Sequence, residues 1–148
     1  YSINALRYAT GEEPIAVRNA RQYTDHPNLF KEVDETSEFE LVFKSGIKAI
    51  GETSVGKSYN QLRVDCEKGW YELQPMQQYS GVQGKTSDGK LLNQYIENQQ
   101  ARQMDDDALA IKNNQPVMIP CIEGLKDIRI VNAIQEAALS KKEVSLLG

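Results

Sequence analysis

The sequence predicts an α+β fold built on a mostly antiparallel sheet of about six or seven strands. Three observations carry that prediction. Apolar and polar residues alternate with period two through the middle of the chain, as in half-buried strands. Short turns, Ser45-Gly46, Lys68-Gly69 and Thr86-Ser87-Asp88-Gly89, separate these runs, and tight turns join antiparallel neighbours. The last third changes to helical spacing, which adds a helical layer to the sheet. The 148 residues fit one domain, and a domain of this size buries roughly 68–70% of its unfolded surface.

Each element has its own signal. Ile3, Leu6 and Ala9 or Thr10 recur at helical spacing, and Gly11 supplies a stop ahead of Glu12-Glu13-Pro14. A strand over 15–23 has few breakers and ends at a turn over 25–28. Phe39, Leu41 and Phe43 alternate with Glu38, Glu40, Val42 and Lys44, and Ser45-Gly46 folds this run onto 47–50 as a hairpin. Leu62, Val64 and Cys66 alternate with Arg63, Asp65 and Glu67; Lys68-Gly69 then leads into 70–73, which Pro75 ends. The turn over 86–89 joins strands over 79–84 and 90–95. Asn98 is read as the N-cap of a helix with Ala101, Met104, Ala108 and Ile111 on one face, stopped by Asn113-Asn114 and Pro116. A second helix starts near Glu123. Leu125, Ile128, Val131 and Ala138 mark its apolar face, Ile130, Ile134 and Ala137 broaden it, and Lys141-Lys142 suit its C-terminal end. An edge strand over 144–147 completes the order.

Composition excludes several classes. Seventeen Lys and Arg against 21 Asp and Glu give a net charge of −4, which argues against a nucleic-acid partner, since such proteins present a basic face. No apolar run approaches the ~20 residues of a membrane span. Cys66 and Cys121 have neither C-x-x-C nor zinc spacing, so they read as two buried reduced thiols unless the fold pairs them. His26 lies in a turn-rich stretch without a ligand partner at metal spacing and reads as a solvated loop residue. No metal site is expected.

One motif needs a physical answer. Residues 51–58, Gly51-Glu52-Thr53-Ser54-Val55-Gly56-Lys57-Ser58, fit the phosphate-loop pattern G-x-x-x-x-G-K-[ST] letter for letter. A working phosphate loop opens a helix whose N-terminal amides hold the phosphates. Here residues 59–66 alternate with period two, so the segment reads as strand and turn with an exposed Lys57, and nucleotide binding is disfavoured. The run Asp105-Asp106-Asp107 sits on a helix, where adjacent side chains diverge by about 100°, and reads as a solvated or capping face. The amide-rich stretch from Asn93 to Gln100, between strand and helix, presents donors and acceptors suited to a sugar.

The order of these pieces resembles a known family. Tyr1-Ser2-Ile3-Asn4-Ala5-Leu6-Arg7-Tyr8, followed by Thr10-Gly11-Glu12-Glu13-Pro14, is similar to the start of the C-terminal domain of the glucose–fructose oxidoreductase and inositol dehydrogenase family. Val42-Phe43-Lys44-Ser45-Gly46, Leu73-Gln74-Pro75 with Tyr79-Ser80-Gly81, and Asn114-Gln115-Pro116-Val117 fall in the same order. Glu123-Gly124-Leu125-Lys126-Asp127-Ile128-Arg129, running into Ala133-Ile134-Gln135-Glu136-Ala137-Ala138, completes it, and the glucose–fructose oxidoreductase branch is the most similar.

The resemblance implies a large, mostly antiparallel, open-faced sheet with helices packed on one face. It implies that residues 1–148 are a single C-terminal substrate and oligomerisation domain, a piece of a longer NAD(P)-dependent sugar or polyol oxidoreductase whose N-terminal Rossmann domain binds the cofactor. In this branch the catalytic motif is Asp-x-x-x-Tyr, and Tyr1 falls on its last position; the Asp would lie upstream, as would the Glu-Lys-Pro lysine. A phenol has an ordinary pKa of about 10, so acid/base work near neutrality needs a nearby cation, which that lysine and the nicotinamide ring would supply. Asn98 and Gln99 become substrate-side candidates, whereas Asp106 stands where some members have histidine. The chain alone is expected to fold, to bind no NAD(P), to be inactive, and to form a homodimer or tetramer through a sheet face. The alternative is a non-catalytic sugar-binding or assembly domain of the same fold.

Overall fold

The computed structural model describes residues 1–147. In chain order the elements begin with α1 (Ser2–Thr10), β1 (Pro14–Tyr23), β2 (Thr36–Phe43), β3 (Lys48–Ser54), β4 (Leu62–Cys66) and β5 (Gly69–Leu73). There follow β6 (Gly81–Val82), β7 (Gly84–Thr86), β8 (Gln94–Tyr95), α2 (Gln99–Lys112), α3 (Cys121–Ser140) and β9 (Val144–Ser145). Two units are distinguishable: residues 1–59 with the segment from Ile122 onward, and residues 60–121.

In the first unit α1 stops on Gly11, whose φ of 68° is left-handed and whose N–H closes on the Arg7 carbonyl. The sheet runs β3-β2-β1-β9, all antiparallel, with Leu41 opposite Val17 on one side and Ala49 on the other. Phe39, Leu41 and Phe43 are buried as one face, as their alternation requires, and pack with Val17 and Ala49 against α3. Because α3 covers that face, any face left for a partner is the opposite one, where Glu40 pairs with Arg18 and Glu38 with Arg21 across strands.

The buried stripe of α3 corrects the sequence reading. Ile130, Ala133, Ile134, Ala137 and Ala138 are buried, at helical spacing, while Leu125 and Ile128 are 45% and 56% exposed. The reason is that Glu123 and Asp127 continue the inward stripe through the first turns, where both meet Arg7. Leu125, although apolar, lies on the opposite side of the helix. The helix also begins at Cys121, ahead of Glu123, and Lys141 follows it in the left-handed conformation with its N–H on the Ala137 carbonyl.

The second unit contains the sheets β4-β5-β7 and β6-β8. The hairpin at Lys68-Gly69 forms as expected, and Arg63 stacks on Trp70 with its guanidinium carbon 4.4 Å from the ring centre. The strand expected over 90–95 shrinks to β8, with Leu91 bridging to Lys85. α2 buries none of its residues: Met104 and Ile111, on the face expected to be core, are 70% and 73% exposed. Cys66 and Cys121 are free and exposed, not buried, because Cys66 ends an edge strand at a turn and Cys121 opens a helix. Among the described residues no helix is long and apolar enough to cross a membrane.

Candidate functional site

Tyr1 occupies the N-cap position of α1, where its carbonyl receives the Ala5 N–H at 2.9 Å, and its side chain is almost fully exposed. It stands at the rim of a cavity of about 250 Å³ whose walls include Gln22, Ser37, Phe39, Thr53 and Ile134. The first turn of α1, the ends of β1, β2 and β3, and the middle of α3 meet there. All lining side chains are neutral. Gln22 Nε2 donates to Ser37 Oγ at 2.9 Å, and Ser37 Oγ donates to Asp34 Oδ2 at 2.7 Å. The polar wall is thus pre-oriented by a short relay.

The other two site candidates lie in the second unit. Asn98 takes the N-cap position of α2, but at φ 50° and ψ 51° its side chain makes no capping bond. A side-chain cap requires the β region at that residue, so the left-handed backbone aims the amide elsewhere. Asn98 is therefore an exposed amide with no structural duty in the helix. Gln99 donates its Nε2 to the Gln78 carbonyl at 2.9 Å, which fixes that side chain.

Residues 51–58 do not form a phosphate cradle. β3 runs through Ser54, and the next regular element is β4, not a helix. Both glycines have steric causes: a Cβ at Gly51 would overlap the Phe39 ring, and one at Gly56 would overlap the Glu35 carboxylate. Lys57 spends its ammonium on the Tyr23 hydroxyl at 3.2 Å and on Glu52 at 3.5 Å.

Glu35 is a residue the sequence reading missed. It is buried, accepts the backbone N–H of Asp25 and His26, each at 2.9 Å, and lies 2.8 Å from His26 Nδ1. Burial pushes its carboxyl up, but the His26 ring and the two backbone amides outweigh that and hold it below the usual range. His26 is exposed in its loop, as expected, yet it is anchored to this carboxylate nine residues on, a partner that no spacing rule links to it. Asp105 and Asp106 are exposed on α2. Among the described residues no group of three or more His, Cys, Asp or Glu could hold a metal ion.

No protein-family profile matches the sequence. Solved structures do. The aldose–aldose oxidoreductase of Caulobacter crescentus, solved with glycerol, is similar over 99% of this chain and 45% of its own, at 34% identity and a TM-score of 0.89. The chain has the C-terminal-domain fold of the glucose–fructose oxidoreductase and inositol dehydrogenase family. The myo-inositol 2-dehydrogenase of Lactobacillus plantarum shares this oxidoreductase fold at 17% identity and a TM-score of 0.70, over 97% of this chain and 45% of its own. The scyllo-inositol dehydrogenase of Lactobacillus casei, solved with NAD(H) and scyllo-inositol, gives 21% and 0.67, over 99% and 46%. The chain thus spans less than half the length of these oxidoreductases. The fold and family that the motifs of Tyr1 to Pro14 and Glu123 to Ala138 suggested are those that the neighbours have.

Proposed function

We propose that this chain is the C-terminal, substrate-side domain of an NAD(P)-dependent sugar or polyol oxidoreductase, and that Tyr1 exchanges the proton of the substrate hydroxyl being oxidised. The observation that carries the reading is the 34% identity to the C. crescentus aldose–aldose oxidoreductase across 99% of this chain. The NAD(H) and scyllo-inositol held by the L. casei enzyme support the cofactor and substrate class. Among the described residues no glycine-rich turn follows a strand and opens a helix, so these residues do not fit a dinucleotide, and its binding is assigned to an N-terminal Rossmann domain. When bound, that cofactor supplies the hydride acceptor.

What this chain contributes is proton transfer and orientation. An exposed phenol at the rim of a neutral cavity has access to a substrate hydroxyl. The cavity lacks a lysine or arginine among its lining residues, so the cation that would stabilise a phenolate must come from the partner domain. Asn98 and Gln99 are assigned to the substrate side of the full enzyme. Association as a homodimer or tetramer is assigned to the sheet face opposite α3, which carries the cross-strand ion pairs of β1 and β2 and, on the edge strand, the exposed Ile50. Light scattering is expected to give a multiple of the chain mass; a monomer at high concentration would contradict this assignment.

The test of the main reading is Tyr1→Phe in the protein that carries both domains. A positioned acid/base group contributes about 10²–10⁴-fold, so kcat should fall by at least a hundredfold with sugar or polyol substrates. Unchanged turnover would refute it.

A further inference from the structure

We propose that the cavity beneath Tyr1 is a sugar- or polyol-binding subsite whose polar contacts are Gln22, Ser37 and Thr53. The proposal deepens the reading of Tyr1 as the proton-transfer group and rests on it for the choice of substrate.

The three residues form one row across the sheet. Gln22 is the register partner of Ser37, and Ser37 is the register partner of Thr53, so the row crosses β1, β2 and β3 at a single level. It lies on the face that α3 covers. Two residues further along the strands, that same face presents Ala20, Phe39 and Gly51, all buried. The alternation that builds the core therefore continues to the sheet's end, but its last level replaces apolar side chains with an amide and two hydroxyls. A level exposed merely for want of helical cover could carry any soluble residue. Three uncharged hydrogen-bonding groups in register, opening into one cavity, form a recognition surface.

The bonding capacity of the row is specific. Ser37 commits its proton to Asp34 and one lone pair to the Gln22 N–H, so toward a ligand its oxygen is left as an acceptor. Gln22 retains its carbonyl oxygen and a second N–H. The Thr53 hydroxyl has no partner among the described residues and can donate or accept. Adjacent strands lie about 4.8 Å apart, so the row carries its hydrogen-bonding side chains on three neighbouring strands, within the reach of one sugar ring or an extended polyol. Phe39, Val131 and Ile134 line the remaining wall with carbon, suited to the C–H faces of such a ligand. A phosphate or carboxylate ligand would call for a cationic side chain, and none lines the cavity. At about 250 Å³ the space is just below the range of about 300–1,000 Å³ that takes drug-sized molecules, which suits a single monosaccharide.

Two measurements test this. In the first, D-glucose and myo-inositol are titrated into the isotopically labelled chain. Saturable amide shifts are expected at Ser2, Gln22, Ser37 and Thr53, and the double variant Ser37→Ala/Thr53→Val should lose them while keeping the rest of its spectrum. In the second, Gln22→Leu and Thr53→Val are made in the protein that carries both domains. Each should raise KM about tenfold, the worth of one substrate hydrogen bond, and by more than it lowers kcat. Absence of shifts together with unchanged KM would overturn the subsite. If the sugars shift these amides but Tyr1→Phe leaves turnover intact, the subsite stands and the assignment of Tyr1 falls. If Tyr1→Phe abolishes turnover while Gln22→Leu and Thr53→Val leave KM alone, Tyr1 stands and the subsite falls.

Discussion

Arg7 organises the first unit. Its guanidinium meets Glu13 at 2.8 Å, Glu123 at 2.6 Å and Asp127 at 2.7 Å, and Lys126 bridges Glu13 and Glu123 at 3.0 and 2.7 Å. Three elements, α1, the entry to β1 and α3, are thereby tied at the end of α1 away from Tyr1. Arg7 is buried, whereas its partners are 28–52% exposed, so the network is partly screened. Arg7→Met should cost about 2–3 kcal/mol, below the range for fully buried pairs, read as a lower urea midpoint. The Arg7 hydrogen bond, opposed by burial and aided by Lys126, pulls the Glu13 carboxyl down to about 2. A depressed carboxyl pKa contributes stability that is present above its unfolded value, near 4.5, and lost as pH falls through about 2. Glu123 is shifted in the same direction by Lys126 and Arg7. Tm should therefore fall between about pH 5 and pH 2, and less steeply in Arg7→Met, because the cause of the shift is gone. A steeper acid loss in the variant would contradict the network.

At the scale of elements, α3 carries the sharpest contrast. Ile134 is buried in the sheet-facing stripe and Leu125 is half exposed on the opposite side. Ile134→Ala should cost about 2–4 kcal/mol through the cavity it leaves, whereas Leu125→Ser should stay within about 0.5 kcal/mol. Equal costs, measured by chemical denaturation, would mean that the helix is rotated. The hairpin β2–β3 was legible because Phe39, Leu41 and Phe43 repeat with the strand period and Ser45-Gly46 marks the turn. The inward face of α3 was not. Its first turns are filled by Glu123 and Asp127, acidic residues that face inward only because Arg7 is there to receive them. The period-two pattern after the phosphate-loop match fits the strand β4 that follows it, yet the reason for its glycines is invisible in sequence: Gly51 makes room for Phe39 and Gly56 for Glu35.

Across the whole molecule, burial is uneven. The buried apolar cluster draws on β1, β2, β3 and α3, all in the first unit, while residues 60–121 contain a single buried residue, Gly81. Hydrogen exchange should therefore be slowest at Val17, Leu41 and Phe43 and in the second half of α3, and fast throughout α2. Protection in α2 equal to that in β2 would show packing that this chain does not display. Sequence alone determined the order and type of most elements and the family resemblance, because these depend on local periodicity, turn residues and contiguous motifs; that resemblance, in turn, is what singles out Tyr1 as the proton-transfer candidate. Only the tertiary structure decided which face of α3 is buried, that the α2 face is bare, that Glu35 anchors His26, and that Gln22, Ser37 and Thr53 align beneath Tyr1. Each of these depends on which segments come together in space, and contacts across nine, 15 or more residues leave no mark in the spacing of a single chain.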